Sequence, residues 1–491
     1  MLSVNCADGD DFREEGAVMM KRDVLHLKAP GNWLNDPNGF IYYKGKYHLF
    51  YQHFPYAAVW GTMHWGHAVS EDLIHWEHLG VALFPTKTYD QNGVFSGSAV
   101  EKDGKLYLYY SAVRYLEAEE ENIHVAYKDR YETSQAMIVS EDGMYFDNWK
   151  DKKRIIPVIE DGEIADRTHT RDPKVWKDGD HYYMALGSTC QGRIGRALFY
   201  RSRDGQEWEY VNQCRDPQFG KILECPDLFR VDGRYVFLGS PMHVSEAGLE
   251  YEHQAMCGLA EFDRETCELS ISEADTQTKA AAGNGGVGSK MTERGMRLVD
   301  YGMDLYAPQT NVDKDGRRVM IAWMRMPRAV EHDGGKSWNG MMCLPRVVEI
   351  QNGHIFFRVH PEADRYFGEE ISKEAVGAGR RNLDETWKIG RPCRLKTELM
   401  EGERLDIGGY RIWVEDDTVR ADRSRVFGGI KGYRLTGSTP RLGGRYKLDI
   451  FVDSNLIEIF VNDGQYVLSH VVYGLGEKIE GRMEHVYVGG K

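Results

Sequence analysis

Short runs of β-branched and aromatic residues, separated by Asp-Gly or Lys-Gly turns, recur along the chain up to about residue 360. Such runs predict β-hairpins, because alternating apolar positions suit a half-buried strand and glycine suits the tight turn between two strands. Long helical periodicities are hard to find. Five of the predicted hairpins look alike, and their turn glycines are Gly45, Gly104, Gly179, Gly233 and Gly316.

A second motif follows three of these hairpins in the same order. It begins with Ser-x-Asp and ends in an aromatic residue, and it occurs at 70–76, 140–146 and 202–208. We interpret each copy as the outer hairpin of one repeated four-stranded unit. Five inner hairpins therefore predict a five-bladed β-propeller. An ordinary all-β sandwich with coincidental turns is the alternative.

The hairpin repeat disappears past about residue 360, where alternating strands with Gly-rich turns continue to the last residue. Runs such as 446–452 and 457–461 predict a separate β-sandwich. The fold prediction is thus an all-β chain, a five-bladed β-propeller followed by a C-terminal β-sandwich. Its predicted parts are an N-terminal extension at 1–24, a catalytic propeller domain at 25–358 and a sandwich domain at 359–491. A stretch rich in Ala, Gly and Thr at 276–288 predicts an exposed loop.

The composition of the chain narrows its partners. The sequence has 491 residues, 42% of them hydrophobic, with a formal net charge of -14, as expected for a soluble globular protein of several domains. This acidic balance argues against an extended nucleic-acid or membrane surface. No apolar run could span a membrane, and the acidic N-terminus shows no signal peptide, so a cytoplasmic protein is predicted. The oligomeric state cannot be read from the sequence.

Neither the cysteines nor the histidines have the spacing of a metal site. The eight cysteines form no CxxC pair, which predicts free thiols in a reducing compartment. Without a helical HExxH spacing, a cluster of histidines is interpreted as packed or hydrogen-bonded side chains: His53, His64, His67, His75 and His78. We therefore expect no metal and no cofactor.

Three acidic residues stand just ahead of predicted inner strands. Asp36 lies in Asn-Asp-Pro-Asn-Gly, Asp172 in Arg-Asp-Pro and Glu224 in Glu-Cys-Pro-Asp. A following proline disfavours helix at the residue before it, so an extended or turn conformation is expected there. The innermost strands of a propeller all begin at one mouth of the central channel. We therefore predict that the three acids occupy equivalent positions and converge at that mouth.

Converging carboxylates suit the cleavage of a glycosidic bond. One acid must be ionised to attack the sugar and one must be protonated to release the leaving group, and repulsion between like charges separates their pKa values. A calcium site made of the three acids, or a merely structural Arg171–Asp172 ion pair, are alternatives. Nearby aromatic residues could wall a sugar ring, and nearby polar residues could bind its hydroxyls: Trp33, Trp60, Trp65 and Phe95, and Asn35, Gln52 and Ser96.

These motifs together resemble glycoside hydrolase family 32, the β-fructofuranosidases, which include invertases, sucrose-6-phosphate hydrolases and exo-fructanases. The matching segments follow one another in family order over nearly the whole chain: 33–39, 95–98, 171–173, 224–227, 306–309 and 451–460. The resemblance implies a five-bladed propeller followed by a β-sandwich, in agreement with the repeat.

The resemblance also implies residue roles. Asp36 would be the nucleophile, Glu224 the general acid and base, and Asp172 the stabiliser of the transition state, with Arg171 orienting the acids. The outcome would be retention, with the Asp36 and Glu224 carboxyls about 5–5.5 Å apart. The fructose pocket would be lined by Asn35, Gln52, Trp60, Phe95 and Ser96, with Tyr306 and Trp323 at its edge.

Two departures from the family pattern leave the preferred substrate open. The run after Gln52 is His53-Phe54-Pro55, where the family usually shows a residue and then Asn-Pro. Thr170 precedes Arg171, where the family usually has an aromatic residue, and looser packing behind Asp172 is expected.

The function predicted from the sequence is therefore a retaining exo-β-fructofuranosidase. Its substrates would be small carbohydrates, namely sucrose, sucrose-6-phosphate or short fructo-oligosaccharides. Three alternatives stay open: a fructosyltransferase with the same site, an inverting enzyme acting on arabinosides or xylosides, and a non-catalytic fructan-binding protein.

Overall fold

The computed structural model describes residues 22–244, 253–272, 295–331, 337–370, 386–388 and 392–490. Strands dominate these residues, and within them the single α-helix, α1, spans Pro361–Tyr366. Two 3₁₀ turns lie at Tyr127–Asp129 and Pro217–Phe219. The all-β prediction is confirmed. The loop predicted at 276–288 and most of the predicted N-terminal extension lie outside the described residues.

The chain up to Val359 forms five sheets that follow one another in sequence. The first sheet contains β1 at Arg22–Val24, β2 at Asn32–Tyr43, β3 at Lys46–Phe54, β4 at His64–Ser70 and β5 at His75–Leu83. The second contains β6 at Gly93–Lys102, β7 at Lys105–Tyr115, β8 at Tyr131–Ser140 and β9 at Lys153–Ile156. The third contains β10 at Arg171–Asp178, β11 at His181–Cys190, β12 at Ile194–Ser202 and β13 at Glu209–Arg215.

The fourth and fifth sheets have five strands each. The fourth contains β14 at Ile222–Val231, β15 at Arg234–Met242, β16 at Met256–Phe262, β17 at Leu269–Ile271 and β18 at Arg297–Leu298. The fifth contains β19 at Leu305–Val312, β20 at Arg318–Met324, β22 at Met341–Met342, β23 at Arg346–Gln351 and β24 at His354–Val359. Strand β21, at Trp338–Asn339, pairs in parallel with β2 and so belongs to the first sheet.

The first long strands of the five sheets contact one another in a closed cycle. Strand β2 contacts β6, β6 contacts β10, β10 contacts β14, β14 contacts β19, and β19 contacts β2. The backbone joins the two ends of this cycle, because Met342 N–H donates to the carbonyl of Leu27 and Ala29 N–H donates to that of Gly340. Three strands of this cycle, β2, β10 and β14, carry the predicted acids.

The predicted Ser-x-Asp hairpins are confirmed as outer turns of three sheets. Asp72 follows β4 and accepts hydrogen bonds from two backbone N–H groups of its turn, and Asp142 and Asp204 do the same after β8 and β12. Asp263 makes a fourth such turn after β16. The Ser-x-Asp pattern did not identify this turn, because Glu261 and not a serine comes two residues before Asp263.

Two six-stranded sheets follow. One runs in the order β25 at Glu369–Glu370, β36 at His485–Val488, β27 at Cys393–Glu398, β32 at Lys447–Val452, β33 at Leu456–Val461 and β34 at Tyr466–Val471. The other runs in the order β26 at Thr386–Lys388, β35 at Lys478–Gly481, β28 at Arg404–Ile407, β29 at Tyr410–Glu415, β30 at Thr418–Asp422 and β31 at Thr436–Ser438. Both contribute to one hydrophobic cluster, in which Leu395, Ile412 and Ile450 are fully buried.

A buried group of charges joins the first and fifth sheets to the C-terminal sheets. His26 Nδ1 lies 2.9 Å from Asp453 Oδ2 and its Nε2 lies 3.0 Å from Glu458 Oε1. Glu458 also binds Arg346 at 2.6 Å, and Arg346 binds Asp300 at 2.9 Å. We call this set, with Lys28 bound to Asp453, the interface cluster. The two acids of segment 451–460, Asp453 and Glu458, therefore have a structural role in this cluster.

Among the residues that the structure describes, no helix has the length and apolar character that crossing a membrane requires.

Candidate active site

All five inner strands carry a register shift near their first residues. The shifts lie between Leu34 and Pro37, Phe95 and Gly97, Arg171 and Lys174, Glu224 and Asp227, and Tyr306 and Gln309. Such bulges bend a strand and re-aim its side chains. Every predicted acid therefore lies within or directly beside a bulge at the same end of the strand cycle.

The structure corrects the predicted equivalence of the acids. Arg171, Glu224 and Tyr306 are each the last paired residue before a bulge. The next residues, Asp172, Cys225 and Ala307, all have a positive φ, of 65°, 45° and 49°, and a proline follows each one. Glu224 thus occupies the position of Arg171 and not that of Asp172. The prediction of equivalent positions was wrong because one residue, Cys225, separates Glu224 from its proline, whereas Asp172 precedes its proline directly.

The acids nevertheless converge, and they do so around Cys225. Its Sγ lies 3.6 Å from Asp36 Oδ2 and 3.5 Å from Asp172 Oδ2. Its backbone N–H donates to Asp172 Oδ2 at 2.9 Å, and its neighbour in the chain is Glu224. Carboxylates from the first and third sheets therefore meet at one thiol, on the residue that follows Glu224 of the fourth sheet. The sequence analysis assigned Cys225 no place in the site, although the Glu-Cys-Pro-Asp string put it beside an acid.

Asp36 is held by side chains from two strands. Asn35 Nδ2 donates to its Oδ1 at 3.1 Å, and Ser96 Oγ donates to its Oδ2 at 2.6 Å. Trp33 Nε1 in turn donates to Asn35 Oδ1 at 2.7 Å and fixes that amide. Asp36 keeps part of its surface exposed, so a ligand can reach its carboxylate.

Glu224 is held on its other side. Arg171 donates to Glu224 Oε1 from Nε at 3.1 Å and from Nη2 at 2.8 Å, while Tyr306 OH lies 2.6 Å from Oε2. The guanidinium also faces His169 Nδ1 at 3.2 Å. The Glu224 side chain is 20% exposed, so its carboxylate is also accessible.

Electrostatics separate the pKa values of the three acids. Burial raises the pKa of Asp36, and the Glu224 charge raises it further, against hydrogen bonds from Ser96 and Asn35. Burial, with the charges of Glu224 and Asp36, raises the pKa of Asp172 to about 7, although Arg171 opposes this shift. Burial also raises the pKa of Glu224, but Arg171 and the Tyr306 hydrogen bond outweigh it, so the net shift is downward. In the free site a proton therefore favours Asp172 over Glu224.

The remaining predicted pocket residues contact neighbours of the residues that hold the acids. Gln52 is buried and donates to the carbonyl of Val94 at 3.1 Å. Trp60 and Phe95 meet edge to face at 5.9 Å, with Trp60 38% exposed. Trp323 pairs with Tyr306 across the sheet, meets Trp33 edge to face at 5.9 Å, and its buried Nε1 has no hydrogen-bond partner among the described residues. Aromatic edges and an unpaired donor thus flank the acids.

Trp65 does not belong to this wall. It is fully buried, it packs against Phe50 and Tyr110, and its Nε1 donates to the carbonyl of Phe95. Its prediction as a sugar-facing ring was wrong because Trp65 lies within β4, where its side chain points into the core between the first two sheets.

The clustered histidines serve as hydrogen-bonding side chains, as predicted. Their ring nitrogens lie within hydrogen-bonding distance of the carbonyls of Trp33 and Thr62, of His48, and of the Tyr51 hydroxyl and the carboxylates of Asp23 and Asp72.

Behind the acids, Lys174 binds Asp227 at 3.0 Å, and burial lowers the pKa of Lys174. Gln309 donates to the carbonyl of Gly97 at 2.8 Å and accepts from Phe40 N–H at 2.9 Å. These links involve all five inner strands, since the ion pair joins β10 to β14 and Gln309 joins β19 to β6 and β2.

A site of carboxylates at one end of a strand cycle, with an arginine and a tyrosine on one acid, has the groups that a carboxylate glycosidase requires. The Glycosyl hydrolases family 32 N-terminal domain model matches residues 26–361, and the Glycosyl hydrolases family 32 C terminal model matches residues 402–485. The chain belongs to glycosyl hydrolase family 32.

Several known proteins resemble the whole chain. A sucrose-6-phosphate hydrolase from Escherichia coli is 32% identical over 466 residues, which is 93% of this chain and 90% of that protein. A raffinose invertase from Escherichia coli is also 32% identical, over 92% of this chain and 89% of that protein. The crystal structure of a β-fructofuranosidase from Bombyx mori is similar with a TM-score of 0.74 and 27% identity, covering 96% of this chain and 94% of the other. A mutant of that enzyme in complex with sucrose has a TM-score of 0.72, covering 96% and 92% of the two chains.

Proposed function

We propose that this protein is a retaining exo-β-fructofuranosidase that hydrolyses the β-fructofuranosyl bond of sucrose, sucrose-6-phosphate or short fructo-oligosaccharides. The observation that carries the proposal is the meeting of Asp36, Asp172 and Glu224 around Cys225. The relatives named sucrose-6-phosphate hydrolase and raffinose invertase support the same substrate class.

In the first step Asp36 attacks the anomeric carbon of the fructosyl unit. The bond from that carbon to the leaving oxygen breaks, an ester bond to Asp36 forms, and Glu224 gives its proton to the leaving oxygen. Ser96 and Asn35 aim the Asp36 carboxylate by their hydrogen bonds. In the second step Glu224 takes a proton from water, the water oxygen bonds to the anomeric carbon, and the ester to Asp36 breaks.

The lowered pKa of Glu224 must rise before it can act as an acid. Tyr306 OH lies 2.6 Å from Glu224 Oε2 but also 3.1 Å from the carbonyl oxygen of Ser240. A turn of this hydroxyl toward Ser240 frees Oε2 to hold a proton. A bound sugar that excludes water from the partly exposed Glu224 carboxylate works in the same direction, because burial favours the neutral acid.

Asp172 and the aromatic side chains bind and orient the sugar. Asp172 binds ring hydroxyls and stabilises the developing positive charge, with Arg171 holding Glu224 in line. Asn35, Gln52 and Ser96 offer polar groups to the fructosyl unit, and Trp60, Phe95, Tyr306 and Trp323 enclose it.

We also propose the finer architecture, namely a five-bladed propeller at 25–358 followed by a β-sandwich at 359–491. The closed cycle of contacts from β2 through β6, β10, β14 and β19 supports five blades around one axis. The shared hydrophobic cluster of the two C-terminal sheets supports a sandwich. Seven free cysteines among the described residues fit a reducing, cytoplasmic compartment.

A product assay tests the proposal. The protein is incubated with sucrose, sucrose-6-phosphate, 1-kestose, inulin and levan, and released fructose is measured beside larger products. We expect fructose from sucrose or a short relative of it, and loss of that activity in Asp36→Ala and Glu224→Ala, with circular dichroism unchanged. An exposed acid, Glu141, provides the control variant Glu141→Ala with full activity.

Four outcomes contradict the proposal. No fructose from any of the five substrates, or near-full activity in either acid variant, rejects the hydrolase. Longer fructosides that outweigh free fructose at high sucrose identify a fructosyltransferase with the same site. Binding without turnover identifies a fructan-binding protein.

A further inference from the structure

Asp172 has a backbone conformation that a residue with a side chain disfavours. Its φ is 65°, in the left-handed region, and Pro173 follows it directly. Such a conformation is unfavourable and persists only where surrounding contacts over-determine it. The carboxylate is held by Cys225 N–H, so a separate contact must hold the backbone of Asp172 itself.

That contact comes from the second sheet. Asp172 N–H donates to Ser111 Oγ at 2.8 Å, and Ser111 Oγ donates to Gln135 Oε1 at 2.8 Å. Gln135 Nε2 then donates to the carbonyl of Thr170 at 3.0 Å. Ser111 on β7 and Gln135 on β8 are direct partners across the sheet. The chain of hydrogen bonds thus leaves the third sheet at Asp172 and returns to it at Thr170.

The two bonded backbone groups lie on either side of Arg171. The carbonyl of Thr170 belongs to the peptide before Arg171, and the N–H of Asp172 belongs to the peptide after it. Ser111 and Gln135 therefore fix both peptide planes that aim the Arg171 side chain, and Arg171 donates twice to Glu224. One buried pair on the second sheet sets the direction of a side chain that holds an acid of the fourth sheet.

The pair is buried and its hydrogen-bonding groups are used. Ser111 is 0% exposed and Gln135 is 1% exposed. Thr170 is also buried, and its Oγ1 lies 2.8 Å from Ser188 Oγ and 2.6 Å from the carbonyl oxygen of Asp166. The looser packing predicted behind Asp172 is therefore not observed, because a network of small polar side chains occupies that space. Removing one buried partner leaves others unsatisfied, which is costly.

We propose that Ser111 and Gln135 are positioning residues for the reaction. They contact no substrate, but they hold the Arg171-Asp172 segment so that the Asp172 carboxylate and the Arg171–Glu224 pair face one sugar. This inference rests on the proposed function of the site.

The test compares Ser111→Ala and Gln135→Leu with a matched control. Ser98 is equally buried, and its Oγ donates to the carbonyl of Pro173 at 2.7 Å and accepts from Val175 N–H at 2.9 Å. Ser98→Ala thus removes two hydrogen bonds to the same strand β10, but beyond the acid. The measurements are kcat, KM and the pH profile of kcat on the preferred fructoside, together with the fraction folded by circular dichroism.

We expect kcat per folded molecule to fall about 10- to 100-fold in Ser111→Ala and Gln135→Leu, as for a catalytic group displaced by about 1 Å. KM should change less than about threefold. The alkaline limb of the pH profile should move, because Glu224 must hold a proton to act as the acid and Arg171 no longer fixes its pKa. Ser98→Ala should keep the wild-type pH profile and lose less than about threefold in kcat. Ser111→Thr, which keeps the hydroxyl, should restore most of the rate.

The double variant Ser111→Ala/Gln135→Leu sharpens the test. Residues that act as one unit lose no more together than the stronger single variant. If Gln135→Leu does not fold, Gln135→Glu replaces it, since Glu keeps the Ser111 bond but offers no donor to Thr170. Folded variants whose rates and pH profiles match Ser98→Ala overturn the inference. A wild-type protein without fructosidase activity instead overturns the proposed function, so the two failures are distinct.

Discussion

Two groups of buried acids in this protein differ in how many cations accompany them. At the site, Asp36, Asp172 and Glu224 share one contacting cation, Arg171, which binds Glu224. In the interface cluster, Asp300, Asp453 and Glu458 lie among His26, Lys28 and Arg346. Both groups connect separate sheets, but only one of them has a cation for each acid.

The pKa values follow this balance. Burial raises the pKa of Asp172 to about 7 and also raises that of Asp36. Burial acts on Glu458 too, but Arg346 and His26 outweigh it and lower its pKa to about 2, and His26 and Lys28 lower the pKa of Asp453. Asp300 is the exception within the cluster, since burial raises its pKa despite Arg346. In the interface cluster each acid has a cationic partner, and the cluster connects the sheets. At the site the acids outnumber the cations, which keeps a proton available for chemistry and reduces the stability of the fold.

The largest expected effect is on catalysis, in Asp36→Asn. The neutral amide cannot form the ester to fructose, so kcat should fall by about 10⁴-fold or more. The free energy of unfolding at pH 8 should stay equal to that of the wild type or rise, because a disfavoured buried charge is gone. Steady-state rates and urea denaturation measure the two quantities. A variant that keeps a tenth of the wild-type kcat contradicts the assigned role.

Glu458→Gln should have the opposite profile. It leaves Arg346 and His26 buried without one counter-charge, so we expect a loss of about 3–5 kcal/mol in the free energy of unfolding. The kcat of the folded protein should stay within about threefold of the wild type, since Glu458 contacts none of the three site acids.

The matched control for this variant is Glu141→Gln, which breaks the exposed ion pair with Lys105. Exposed pairs contribute little, so urea denaturation should show no measurable change. Equal stability losses in Glu141→Gln and Glu458→Gln would remove the contrast between a matched buried cluster and the surface.

Asp172→Asn should stabilise the protein in a defined pH range. The pKa of Asp172 is higher in the folded than in the unfolded chain, so the wild type loses stability as pH rises from about 4 to about 7. The amide escapes this loss, and the variant should be more stable by about 1–3 kcal/mol at pH 8 and equal to the wild type near pH 4. Unfolding by urea at both pH values measures the difference. If the free energy of unfolding of the variant, relative to wild type, is lower at pH 8 than at pH 4, the predicted direction of the pKa shift is contradicted.

His26→Gln should show the reverse pH dependence. Burial lowers the pKa of His26, but bonds to Asp453 and Glu458 outweigh it and raise the pKa above 6.5. The contribution of the imidazolium is complete below pH 6.5 and is lost as pH rises through the folded pKa. We expect the variant to lose about 1–3 kcal/mol at pH 5.5 and less at pH 9. A loss that grows with pH would show that His26 is neutral in the folded protein.

The local features of the fold were predictable from the sequence because turn chemistry is local. Asp-Gly turns such as Asp178-Gly179 predict hairpins, and the repeat of these hairpins predicted that the three acids lie near one another. The Ser-x-Asp turns were recognised for the same reason. Asn35 and Ser96 were predicted to bind sugar hydroxyls from their side-chain chemistry, and the family resemblance implied the same pocket. Both side chains donate to Asp36.

The remaining features depend on contacts between residues distant in the chain. Nothing local in the sequence indicates that β21 pairs with β2, that Ser111 supports Asp172 or that Cys225 lies among three acids. Trp65 has the same local pattern as a surface aromatic, and only the packing of two sheets buries it. The order of the pKa values of Asp172 and Glu224 was not predictable for a similar reason, because it depends on which acid forms the ion pair with Arg171.

The stereochemistry of the first product tests the central claim most directly. Turnover of sucrose, or of the preferred fructoside, in buffer with methanol gives a methyl fructofuranoside. Because this glycoside does not mutarotate, NMR identifies the anomer that the enzyme forms. Attack by Asp36 and then by methanol from the opposite face predicts methyl β-fructofuranoside, by retention. The α anomer as the first product would show direct attack by the acceptor and contradict an Asp36 ester.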